Sequence, residues 1–91
     1  MSVIVRVPTQ LRQLTGGAGE VEVPPGTVRA VLGAVEVAHP GIEARLFDER
    51  GALRRFVNVF VAEEDVRYLD GLDTHVADGA TVSIVPAVAG G

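Results

Sequence analysis

Ninety-one residues at 47% hydrophobic content suffice for one small domain with a core, and not for two. Twelve acidic against eight basic residues leave a formal charge of −4, which excludes general binding to nucleic acid, a function that needs a basic footprint. The chain has neither cysteine nor lysine, so disulfides, thiolate metal sites, nucleophilic sulfur and side-chain amine chemistry are excluded too.

In chain order, Val3-Ile4-Val5-Arg6-Val7 alternates and is β-branched, which predicts a strand ended by Pro8. Arg6 and Pro8 also interrupt the apolar start, so no secretory signal is expected. No apolar run approaches the roughly 18 residues that a membrane span needs, and a cytoplasmic protein is the expectation. Leu11 and Leu14 are placed for one face of a short helical turn. Thr15-Gly16-Gly17-Ala18-Gly19 then reads as a loop, and Glu20-Val21-Glu22-Val23 as a second strand, antiparallel to the first.

Pro24-Pro25-Gly26 breaks that strand and leaves Thr27 as a helix N-cap. Val28, Val31, Leu32 and Val35 follow at helical spacing as one apolar stripe, until His39-Pro40-Gly41 stops the helix. Ile42 to Phe47 predicts a further helical turn. Phe56 to Val61 is the strongest strand of the sequence. Glu63-Glu64-Asp65 reads as an exposed turn, Val66-Arg67-Tyr68 as a short return strand, and Leu69 to Val76 as a connection. Asp78-Gly79 signals a turn before the last strand, Val82 to Val85, which Pro86 ends. Strand, strand, helix, strand, short strand, strand predicts an α+β domain, a mixed sheet packed on one main helix. That is the order of the β-grasp (ubiquitin-like) fold, with first and last strands side by side. The whole chain, 1–91, is expected to be this single domain, with a flexible C-terminal tail over 87–91.

The motifs exclude more than they offer. Glycines 16, 17 and 19 lack the lysine of a phosphate loop, and Glu22 stands where a dinucleotide fingerprint starting at Gly17 needs glycine. His39 and His75 are too far apart to be read as a metal site, and the carboxylates of Glu63, Glu64 and Asp65 read as a solvated turn. Ser83 has no glycine elbow around it. No acid, base and electrophile stabiliser assemble, so no catalytic and no metal residue is expected, and the chain does not read as an enzyme.

What remains is the end. Val88-Ala89-Gly90-Gly91 follows the last strand directly. Glycine costs order, so a terminal Gly-Gly is not there for packing. It offers a thin tail with a free carboxylate, suited to entry into a narrow active site, although a frayed end is the plainer alternative. Extended from Ala87 to Gly91, it reaches roughly 15–18 Å.

Joined to a β-grasp order, the run Pro86-Ala87-Val88-Ala89-Gly90-Gly91 resembles the ubiquitin-like sulfur carriers of the MoaD/ThiS family. Pro8-Thr9, Leu11-Arg12, Thr15-Gly16-Gly17, Arg55-Phe56-Val57-Asn58 and Glu64-Asp65-Val66-Arg67 are similar to the CysO-type carriers of actinobacteria within it. MoaD-type tails more often carry two prolines where this chain has Pro86-Ala87, and ThiS-type chains are typically shorter. The resemblance implies that an adenylating, ubiquitin-activating-type enzyme activates Gly91 with ATP and Mg²⁺. Sulfide or a persulfide then converts it to a thiocarboxylate, with Val88, Ala89 and Gly90 as the tail that reaches the partner. It further implies a sulfur-accepting enzyme such as a PLP-dependent cysteine synthase, and a metalloprotease that releases cysteine; the carrier itself binds no cofactor. Two other functions stay open: the small subunit of molybdopterin synthase, and a non-catalytic β-grasp interaction module.

Strand alternation also predicts a docking face. Val57, Val59 and Val61, with Val82 and Ile84 and with Val3, Val5 and Val7, are expected to face the helix. The opposite face then carries Asn58, Ser83 and Arg6, and with them Phe60, Val85, Ile4 and Phe56 as a candidate partner patch beside the tail.

Overall fold

The computed structural model of the protein describes residues 2–86. Strand β1 (Val3–Arg6) and strand β2 (Glu20–Val23) form the expected antiparallel pair, Val3 opposite Val23 and Arg6 opposite Glu20. Their connection holds a 3-10 turn, Thr9–Thr15, which buries Leu11 and Thr15. The Thr15 hydroxyl lies 3.1 Å from the Arg12 carbonyl and 2.8 Å from that of Ala18, so its burial leaves no polar group unpaired.

Helix α1 (Val28–Ala38) starts where Thr27 predicts, its hydroxyl accepting the Ala30 N–H at 3.1 Å. Val28, Val31, Leu32 and Val35 are fully buried, so the stripe at 3.6-residue spacing is the face laid on the sheet. Helix α2 (Ile42–Leu46) follows after Gly41, whose φ of +105° favours glycine. The Glu36 carboxylate accepts the N–H groups of Gly41 (3.0 Å) and Glu43 (2.9 Å) and so ties α2 to the end of α1. These bonds, the one from Glu43 foremost, hold its pKa below the ordinary glutamate value.

Strand β4 (Val57–Val61), the short edge strand β5 (Glu64–Asp65) and strand β7 (Thr81–Pro86) complete the main sheet, whose order is β2-β1-β7-β4-β5. β1 and β7 run parallel as neighbours, Val5 opposite Val82. That is the β-grasp arrangement, with α1 on one face. Val3, Val5, Val7, Val57, Val59, Val82 and Ile84 face α1 and are buried, as their alternation predicts.

Two local readings are corrected. The return strand is β5, Glu64–Asp65, and Val66–Tyr68 is a 3-10 turn. The reversal comes earlier, at Ala62 with φ +58°. Asp65 then accepts the Arg67 N–H at 2.8 Å and curls the chain out of the ladder, which overrides the β propensity of Val66 and Tyr68. The connection from Leu69 to Val76 is also not plain coil. It holds a 3-10 turn at Gly71–Asp73 and strand β6 (His75–Val76), which pairs with strand β3 (Gly26–Thr27).

Candidate functional site

The site is built from the end of β7 outward. In the β4·β7 ladder Val57 lies opposite Pro86, Asn58 opposite Val85 and Phe60 opposite Ser83. Ala62 donates to the Thr81 carbonyl at 2.9 Å, so the hydrogen-bonded rungs are 62/81, 60/83 and 58/85. Val57 and Pro86 face each other as the last, non-hydrogen-bonded pair of the ladder. Gly91 and the tail residues Val88, Ala89 and Gly90, with the whole segment 87–91, lie outside the described residues.

Phe60, Val85 and Ile4 alternate with the buried residues of their strands, whereas Phe56 falls in the turn just before β4, and the four do not lie in one spot. Phe56 (62% exposed) and Val85 (43% exposed) flank the root of the tail. Phe60 is half-buried, one step away on the diagonal from Val85. Ile4 lies opposite Thr81, five residues before Pro86, so it stands roughly 16–17 Å up the sheet. The docking candidates nearest the end of β7 are therefore Phe56, Val85 and Phe60, with Ile4 apart. Arg6 lies between, 3.8 Å from Glu20; both are solvent-exposed, so this pair adds charge pattern more than stability.

One residue that sequence reasoning did not single out belongs here. Arg67 lies beside the same end of the sheet, its guanidinium donating to the Asn58 side chain (2.6 Å) and to the carbonyls of Val57 (2.8 Å) and Arg54 (3.2 Å). Its acceptors lie 9 to 13 residues away, so no local pattern announces it.

Catalytic groups do not converge among the described residues. No group of three His, Asp or Glu side chains there is placed to hold a metal ion. The surface hollows, of about 350–390 Å³, are lined by residues such as Arg29, Glu43 and Phe47, or Arg6, Arg12 and Glu20, without a nucleophile beside a base. No described helix is long and apolar enough to cross a membrane.

The ThiS family model matches residues 5–91 of this chain. The chain belongs to the ThiS family. Its likeness runs the full length: it is 48% identical over 93 residues to the sulfur carrier protein CysO of Mycobacterium tuberculosis, covering 100% of both chains. The crystal structure of that organism's CysO superposes with a TM-score of 0.90 at 46% identity, over 94% of this chain and 99% of that one. A chain of the BexX/CysO complex from Amycolatopsis orientalis gives a TM-score of 0.92 at 50% identity, over 98% of this chain and 99% of that one. The ThiS-family assignment accounts for the β-grasp sheet.

Proposed function

We propose that this ThiS-family chain is a sulfur carrier: a protein-bound sulfur donor on which other enzymes act, and not itself a catalyst. The observation that carries the reading is the full-length identity of 48% to a CysO sulfur carrier. The chemistry follows from the carboxylate. At neutral pH it is ionised and a poor electrophile. A ubiquitin-activating-type partner joins Gly91 to AMP from ATP, with Mg²⁺ on the phosphates, and releases pyrophosphate. Sulfide displaces AMP and leaves a C-terminal thiocarboxylate; a persulfide displaces AMP to give an acyl disulfide, which a thiol then cleaves to the thiocarboxylate, leaving as the mixed disulfide. The thiocarboxylate donates sulfur to an acceptor enzyme, such as a PLP-dependent cysteine synthase, toward cysteine or a related thio-metabolite; a metalloprotease then frees the product. ATP, Mg²⁺ and PLP belong to the partners. The likeness to a chain of the BexX/CysO complex supports a carrier that works docked to a second protein.

Intact mass tests the reading. After incubation with an activating enzyme, ATP and sulfide, the chain gains the mass of one sulfur-for-oxygen exchange. An unchanged mass under conditions that convert a known carrier rejects it.

Phe56, Val85 and Phe60 form the proposed docking patch at the tail root. Each apolar side chain buried in a complex contributes on the order of 1.5–3 kcal/mol. Val85→Asp therefore weakens binding to the activating enzyme by about tenfold or more. Phe60→Asp has a smaller effect, because Phe60 is already half-buried. Calorimetric titration of folded variants reads this, and unchanged affinity removes the residue from the patch.

A further inference from the structure

β4 has two sides. Toward β7 it offers the backbone groups of Asn58, Phe60 and Ala62, which fill the hydrogen-bonded rungs. The groups of Val57, Val59 and Val61 therefore point the other way, to the edge where β5 pairs. β5 covers only Phe60 and Val61 before Asp65 turns the chain aside. Continued at the same register, its next rungs on that side would fall at Val59 and Val57. At Val57 the guanidinium of Arg67 stands in for the missing strand and donates to the carbonyl at 2.8 Å. The same side chain grips the Arg54 carbonyl before the strand and the Asn58 side chain after it. Asp65 lies 3.9 Å from it, with its own side chain largely covered.

Val57 is also the residue opposite Pro86, the last rung before the tail. By the alternation of the ladder Val57/Pro86 is a non-hydrogen-bonded pair, so the outermost hydrogen-bonded rung is Asn58/Val85. Arg67 braces both residues of β4 that hold the root of the tail, Val57 by its backbone and Asn58 by its side chain. We infer that Arg67 is a positioning residue of the carrier: by clamping Arg54, Val57 and Asn58 it fixes the direction in which the chain leaves β7 toward a partner. This rests on the carrier reading above. A tail root ordered in advance spares the partner the cost of ordering it on binding. The effect belongs in KM for the carrier and leaves the chemical step alone.

The test pairs a readout that needs the partner with one that does not. In Arg67→Ala, hydrogen exchange at the Val85 amide accelerates about tenfold, while exchange at Val5, on the far side of β7, stays as in the wild type. With the activating enzyme, ATP–pyrophosphate exchange gives a KM for Arg67→Ala raised roughly three- to tenfold at unchanged kcat. Arg67→Lys restores little of it, because one ammonium cannot span three acceptors. Should Arg67→Ala fail to fold, Arg67→Lys and Asn58→Ala carry both measurements. Unchanged Val85 exchange overturns the clamp. Faster exchange with an unchanged KM, or a lower kcat at constant KM, overturns the positioning role. A wild-type chain that the enzyme does not adenylate rejects the carrier reading instead, and the exchange data still judge the clamp.

Discussion

Removal of Gly91 lowers thiocarboxylate formation by at least about a hundredfold, while the melting curve stays that of the intact chain. One residue of extended chain is roughly 3.3–3.6 Å, and reacting atoms must come within about 3–3.5 Å of each other. A carboxylate withdrawn by a whole residue therefore stands outside reach of the adenylating phosphate, even with docking intact. Gly90→Val reaches the same endpoint by another route: it adds a stiff, β-branched side chain where the carrier reading needs a thin thread. The described core runs from Val3 to Ile84, and on the carrier proposal both variants keep the fold. Thiocarboxylate yield by intact mass and thermal unfolding by circular dichroism check the two halves. A truncated chain that is charged with sulfur at the normal rate defeats the carrier proposal.

Leu32→Ala acts at the opposite end of the chain of cause. Leu32 is fully buried in the stripe of α1 that covers the sheet. Truncating such a leucine removes its transfer free energy and leaves a cavity, at a cost of about 3–5 kcal/mol. A domain of this size is stable by only about 5–13 kcal/mol, so the loss is a large fraction of the whole. The unfolding midpoint should fall by roughly 15 °C or more. Denaturant unfolding at unchanged m-value checks it, and a loss under about 1 kcal/mol would mean that the α1 contact is looser than its burial indicates. At temperatures where Leu32→Ala is still folded, it should accept sulfur normally. The two substitutions thus separate chemistry from fold.

How much of the fold was legible follows from periodicity. Val3, Val5 and Val7, or Val57, Val59 and Val61, place every second side chain on one face, and burial of that face fixes the register. The α1 stripe speaks as plainly, with Thr27 marking its start. Two-residue strands have no period, and so β3 and β6 were silent in the sequence. Val66 and Tyr68 misled because their propensity points to a strand, whereas a single Asp65 side chain bond decides otherwise. Arg67 was invisible for a different reason: its acceptors are set by tertiary placement. Of the candidate site, the alternation that sets Phe60 and Val85 opposite the buried face was legible, while Phe56 falls in a turn before β4, where alternation does not apply. The separation of Ile4 from them depends on the parallel offset of β1 against β7, which no local pattern encodes.

That parallel pairing has a mechanical consequence. Because β1 and β7 run the same way, the chain enters the sheet at one end of the pair and leaves at the other. Tension between Ser2 and Pro86 pulls the two neighbours past one another, lengthwise. Their shared hydrogen bonds are then loaded together in shear; two antiparallel neighbours pulled from a common end would unzip rung by rung. The arrangement also keeps the amino end a strand's length from the exit of the tail. A tether or fluorophore on Ser2 leaves the carboxyl-end route clear, so the carrier can be held on a surface by one end while an enzyme works at the other.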